Sequence, residues 1–274
     1  MKSVDLYVDA VVKEIQMRSG QTPWSSSVFR TLYLGGGTPS ILSVEQTQRI
    51  VAGLQCSVNT GDVWSEATIE VNPEDVCSES LRGWLKCGFN RISIGVQSFE
   101  DDQLEWMNRK HSSAQAIEAI NLAKSEGFEK ISIDLIYGLP HRTEQSWDST
   151  IEMAFSLPID HISCYALTVE PRTVLGARVK KGIESEAPDE LVEKDYSELC
   201  AKASQMGFNH YEVSNWAKNS PNKAIHNTSY WEGVPYLGLG PGAHGFDGEK
   251  RYSVVSNNNT YIRDIGLWRL PDTV

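Results

Sequence analysis

The 274-residue chain has no two cysteines within three residues of each other. Cys56, Cys77, Cys87, Cys164 and Cys200 are scattered, so the close spacing that holds zinc or an iron–sulfur cluster is missing. An odd, dispersed set reads as reduced thiols in a reducing compartment. Long apolar runs are also absent, and the opening MKSVDLYVDAVVKEIQ is amphipathic rather than a signal peptide, so no transmembrane segment and a cytoplasmic location are expected. Positive charge is scarce: 25 Lys and Arg stand against 36 Asp and Glu, a formal net charge of -11. That balance argues against nucleic acid as a partner.

What is present is a rhythm. Val4, Val8, Val11, Val12 and Ile15 share one helical face, and Gly20 with Pro23 closes that segment. Strand candidates FRTLYLGG, ATIEVNP, NRISIGVQS, EKISIDLIYGLP and DHISCYALTVEP then alternate with helix candidates near Val44–Leu54, Ser78–Cys87, Ser113–Glu126 and Glu144–Ser156. Such alternation implies βαβ crossovers and a parallel sheet, doubly wound or barrel-like. A further helix runs from Pro188 to about Gly207, and the remainder, rich in Gly, Asn and aromatics, carries few helical signals.

Strand parity separates the possibilities. One parity is apolar: Ile69 and Val71; Ile92, Ile94 and Val96; Ile131, Ile133 and Leu135. The other is polar or small: Glu70 and Asn72; Ser93, Gly95 and Gln97; Ser132 and Asp134; Ser163 and Tyr165. A sheet covered on both faces reads as a continuous apolar run, and a closed eight-stranded barrel fills its centre with bulky branched residues. Neither describes this pattern. An open α/β barrel with a polar lumen fits better, whereas an antiparallel sheet with one wet face conflicts with the helix-length connections.

In parallel α/β folds ligands sit beyond the carboxyl ends of the strands. There this sequence places GGGTP, then Glu70 and Asn72, Gln97, Asp134 with YGLP, and YALTVEP. Each has a plain structural use, as turn, cap or solvated side chain. Together they predict a site for a small polar ligand, with glycine amides and carboxylates as its donors and acceptors.

The ordered set TLYLGGGTPS, ATIEVNPE, RISIGVQSFEDDQLEWMNRKH, ISIDLIYGLP, YALTVEPRT and LGLGPGAHGF, from about Asp5 to Phe246, resembles the radical S-adenosylmethionine (SAM) family. In detail it resembles the branch that holds oxygen-independent coproporphyrinogen III oxidase and the HemW heme chaperones. HYEVSNWAK followed by HNTSYW resembles the HNxxYW motif of the chaperone side. The resemblance implies an open partial (β/α)6-type, TIM-like barrel. It divides the chain into 1–187, the partial barrel, and 188–274, the end of the barrel and the start of a C-terminal region.

By position, it implies that Gly36, Gly37 and Thr38 hold the methionine end of S-adenosylmethionine. Glu70, Gln97, Arg109 and Asp134 contact its polar groups, with main chain near Ala166 and Ala243 around the adenine. His226 becomes the candidate heme contact, with Tyr230 and Trp231 as apolar walls; otherwise it is a loop histidine that caps something. The implied role is binding heme and passing it to an acceptor protein, and the alternative is oxidative decarboxylation of coproporphyrinogen III.

One departure matters. The family holds a [4Fe–4S] cluster through a CxxxCxxC loop after the first barrel strand, and this sequence contains neither that loop nor a strand ahead of Asp5. The expectation is a fragment with an internal Met1, the alternative being a genuine degenerate relative, with no metal ligands of its own and little or no catalysis as it stands.

Overall fold

The computed structural model describes residues 2–61 and 64–273. In chain order the elements are α1 (Lys2–Ser19), β1 (Thr31–Leu34), α2 (Val44–Ser57), β2 (Glu66–Val71), α3 (Ser78–Lys86), β3 (Arg91–Gln97), α4 (Asp101–Trp106) and α5 (Ser113–Glu126). There follow β4 (Lys130–Tyr137), α6 (Glu144–Ser156), β5 (His161–Ala166), α7 (Val174–Lys180), α8 (Asp189–Gln205), β6 (Asn209–Glu212) and β7 (Asn215–Ala217). The chain closes with α9 (Ile225–Trp231), β8 (His244–Phe246), β9 (Arg251–Val254), α10 (Asn258–Gly266) and β10 (Asp272–Thr273). Among the described residues no helix is long and apolar enough to cross a membrane.

Local chemistry explains where the helices start. Ser43 with Gln46, Ser112 with Gln115 and Thr143 with Ser146 form reciprocal capping boxes at the starts of α2, α5 and α6. Each satisfies two backbone donors that a helix start leaves without partners.

The chain divides into two compact units. The first comprises residues up to Ile69, Glu79–Asn90 and Ala224 onwards; the second comprises Glu70–Ser78 and Arg91–Lys223. In the first, β1 pairs parallel with β2, and Thr31 lies opposite Glu66. α1 packs on α2, and Val8, Val11, Ile15, Ile50, Leu54, Tyr261 and Ile265 form part of one core with Val254 of the antiparallel sheet β10-β9-β8. α10 therefore belongs to this core, in a stretch where sequence pattern offers few helical signals. Glu14, wholly buried in α1, accepts from Arg18 Nε at 2.8 Å, the Tyr261 hydroxyl at 2.7 Å and the Gly240 N–H at 2.8 Å.

In the second unit β3, β4 and β5 run parallel, and β5-β7-β6 continue the sheet antiparallel. The apolar parity is buried as expected: Ile92, Ile94, Val96, Ile131, Ile133 and Leu135 are fully covered. α5 packs against β3 and β4 and buries Ala116, Ala119, Ile120 and Ala123. The polar parity is only partly the open lumen expected. Its lower layer is closed by the protein's own hydrogen bonds. Ser132 Oγ meets His161 Nδ1 at 2.8 Å, His161 Nε2 meets the Tyr211 hydroxyl at 2.8 Å, and buried Arg91 donates to Asn222 O at 3.1 Å. Burial keeps His161 neutral, holding its pKa well below the usual histidine value, with the Arg91 charge adding to the effect.

Candidate functional site

The second unit gathers one group of the sequence-predicted residues. Ser93 Oγ donates to Asp134 Oδ1 at 3.1 Å across the β3–β4 pair, and Ser163 on β5 also hydrogen-bonds to Asp134. Burial, and then the charge of Glu70, push the Asp134 pKa up to about 6, against the pull of the two serines and Arg91. A buried carboxyl whose negative charge is disfavoured gains from an incoming cation.

Arg109, half-buried beyond β3, has its pKa lowered by burial and opposed by the charges of Glu74 and Asp134. Gln97 closes β3 with φ at 71°, a conformation that costs a non-glycine residue about 1–3 kcal/mol. Its amide folds back over Gly95, where an added Cβ would meet Gln97 Nε2 at 2.9 Å and come within 3.7 Å of Asn72 Oδ1. Gly95 is therefore glycine so that Gln97 can turn inward. Glu70, Gln97, Arg109 and Asp134 thus lie around one set of strand ends, partly buried, above the closed polar layer. Ala166 ends β5 and is exposed; its carbonyl accepts from Thr168 Oγ1 at 3.5 Å.

The first unit holds the rest. Gly36, Gly37 and Thr38 are exposed on the loop after β1. Gly36 has φ at +87°, so its backbone needs glycine, whereas Gly37 is not left-handed. A Cβ added at either would meet nothing within 4 Å. Packing therefore does not explain the glycine at 37, and open space lies before the main chain, as an approaching ligand requires. Ala243, half-buried, donates its N–H to Gly240 O and accepts from Val254 N–H in the turn before β8.

His226 lies on the first turn of α9, in a stretch whose composition carries few helical signals, so the alternative of a loop histidine does not hold. Wholly buried Glu66 accepts from the Ile225 N–H at 3.1 Å and the His226 N–H at 3.0 Å, anchoring that turn. The ring stacks on Tyr33 of β1 with centroids 4.9 Å apart, its Nδ1 lies 3.1 Å from Thr31 Oγ1, and its Nε2 lies 2.9 Å from the Tyr230 hydroxyl. Burial lowers the His226 pKa, partly opposed by Glu66, and so favours neutral imidazole. Tyr230 continues edge-on to Tyr236 at 4.7 Å, and Tyr230 and Trp231 remain 48% and 64% exposed. The arrangement is a neutral imidazole at the rim of an aromatic surface.

Sequence reasoning missed Thr31, Tyr33 and Glu66. The signal was available for Glu66: it extends the polar parity of Thr68 and Glu70 by one step.

Among the described residues no group of three His, Cys, Asp or Glu side chains is placed to hold a metal ion, and all five cysteines are free.

A model of the radical SAM superfamily matches residues 12–154. The chain is 36% identical over 259 residues to the heme chaperone HemW of Bacillus subtilis (strain 168), covering 94% of this chain and 68% of that one. It is 32% identical over 260 residues to the heme chaperone HemW of Lactococcus lactis subsp. lactis (strain IL1403), covering 95% and 66%. Among solved structures, coproporphyrinogen III oxidase (HemN) from Escherichia coli, a radical SAM enzyme, matches with a TM-score of 0.84 at 23% identity, over 99% of this chain and 64% of that one. The chain belongs to the radical SAM superfamily and, within it, to the HemW family. Its fold is the mixed α/β partial barrel of the radical SAM type, and it spans about two thirds of the length of these relatives.

Proposed function

We propose that this protein binds heme and passes it to an acceptor protein; its relatives carry the name heme chaperone. The observation that carries the reading is the His226 ring. Burial favours its neutral form, both of its nitrogens are held, and exposed Tyr230 and Trp231 lie beside it. Neutral imidazole is a usual axial ligand to heme iron, and an exposed aromatic surface suits the porphyrin plane. Oxidative decarboxylation of coproporphyrinogen III is the weaker reading, because the likeness to HemN is one of fold.

Titration of the chain with hemin, followed at the Soret band, tests the proposal. The wild type should develop a saturable, ligated band that His226→Ala loses while keeping its thermal transition. An unchanged band in the variant would remove His226 from the account.

For S-adenosylmethionine, we assign its methionine end to Gly36, Gly37 and Thr38, supported by the open space before the glycines. Its polar, partly cationic groups fall to Glu70, Gln97, Arg109 and Asp134, supported by the raised Asp134 pKa. Main chain at Ala166 and Ala243 flanks the adenine. When bound, this nucleotide supplies a sulfonium centre; the chain's own residues bind and orient it. The residues present do not fit a [4Fe–4S] cluster, because no CxxxCxxC loop is in the sequence, so no step is derived through one. We place the protein in the cytoplasm, whose reducing environment matches its five free thiols.

A further inference from the structure

We propose that Thr31 and Tyr230 govern the His226 imidazole from its two sides. Thr31 positions the ring for iron, and the Tyr230 hydroxyl occupies the lone pair on Nε2 until heme displaces it. This rests on the heme reading above and extends it to a residue outside the HNTSYW segment.

The geometry fixes the partners. Thr31 Oγ1 lies 3.1 Å from Nδ1, the Tyr230 hydroxyl lies 2.9 Å from Nε2, and Tyr33 stacks against the ring face. Thr31 and Glu66 are register partners on β1 and β2, so adjacent strand positions hold the ring nitrogen and the backbone amide of the same residue. The imidazole can neither rotate nor slide without breaking one of these contacts.

Acidity selects the tautomer. A phenol is the more acidic hydroxyl and the stronger donor, whereas an aliphatic hydroxyl is the better acceptor. The ring proton therefore sits on Nδ1 and is donated to Thr31, and Tyr230 donates into the bare lone pair of Nε2. That lone pair is the one an axial ligand offers to iron. The second nitrogen donating to a protein oxygen is the arrangement by which metal-bound histidines are oriented and made more basic.

The resting site is thus formed but closed by a single hydrogen bond. Tyr230 is 48% exposed, so its ring can swing outward as heme enters. Heme binding then exchanges one hydrogen bond for an iron–nitrogen bond without rebuilding the site.

The test measures hemin affinity by Soret titration in Thr31→Val, Thr31→Ser, Tyr230→Phe and His226→Ala. Loss of an outer-shell partner typically costs 10- to 100-fold in metal affinity, so Thr31→Val should weaken hemin binding about 10-fold, with Thr31→Ser restoring it. Tyr230→Phe removes the competing donor and should tighten binding about 3-fold. Long-range 15N–1H spectra of the heme-free protein should show the Nδ1–H tautomer of His226, and the Nε2–H tautomer would overturn the proposal. Affinities of Thr31→Val and Tyr230→Phe both within twofold of wild type, with His226→Ala still abolishing binding, would also overturn it and leave the heme reading standing. Unchanged binding in His226→Ala would remove both.

Discussion

Replacing Glu66 by glutamine tests how the histidine is placed. In the native protein the Glu66 carboxylate accepts two amide N–H groups, those of Ile225 and His226, at the first turn of α9. These are helix-start amides that the helix itself leaves without partners, and a negative group there also complements the helix dipole. A glutamine keeps one oxygen to accept one amide and turns an NH2 group towards the other. Hydrogen bonds to a charged acceptor are each worth about 1.5–3 kcal/mol, so the substitution should weaken the anchor by about 2 kcal/mol. At about 1.4 kcal/mol per tenfold, that raises local opening about 30-fold.

The assay is native-state hydrogen exchange of the Ile225 and His226 amides, with hemin titration alongside. Exchange should accelerate while amides of the buried strands β3 and β4 stay protected, and hemin affinity should fall by no more than the same factor. If both amides exchange within threefold of wild type, the buried carboxylate does not hold α9 and the reasoning fails.

Glu14→Ala should destabilise by about 3–5 kcal/mol, because it removes one of the two carboxylates that hold buried Arg18, Asp272 being the other, and strips Tyr261 and the Gly240 amide of an acceptor. At about 2–4 °C per kcal/mol the thermal midpoint should drop by roughly 6–20 °C, and a loss under 3 °C would show that the network relaxes. The Asp134 carboxyl, raised from 3.8 to about 6, binds its proton more tightly folded than unfolded. Its contribution to stability is therefore greatest below about pH 4, falls as pH rises to about 6 and is level above. Asp134→Asn should consequently gain stability relative to wild type between pH 4 and pH 7 by urea unfolding, and no gain would mean that the charge is compensated in the folded state. Gly37→Val should leave stability within about 0.5 kcal/mol, since its side chain enters open space, yet abolish S-adenosylmethionine binding by calorimetry. Equal binding would place the nucleotide elsewhere.

The elements that were legible in the sequence are those specified within a few residues. α5 and α6 run Ser113–Glu126 and Glu144–Ser156, as their patterns predict, because each opens on a local capping box. α9 was not legible, because its seven residues start where Glu66, 160 positions away from His226, receives the first amides. No local pattern encodes that anchor. Likewise β7 buries Trp216 and Ala217 against β5 through pairing over more than fifty residues, in a stretch whose composition reads as loop.

The candidate site shows a different limit. Alternation assigns a side chain to a face of the sheet but says nothing about its depth along the strand. Ser93, Ser132 and Ser163 share a parity with Gln97 and Asp134, and from sequence all five face one hollow. In the folded protein the three serines are almost fully buried, and Ser132 belongs to the layer closed by His161 and Tyr211. What distinguishes the open end from the plugged end is the neighbour each residue meets in register. Ser132 lies opposite His161 and is sealed by it, whereas Asp134 lies opposite Ser163 one step further on. Ser163 donates a hydrogen bond to that carboxylate without neutralising it, which is why the carboxylate is left to favour a cation. Depth, set by register between strands about thirty residues apart, therefore decides which polar residues stay at the strand ends and which are sealed inside.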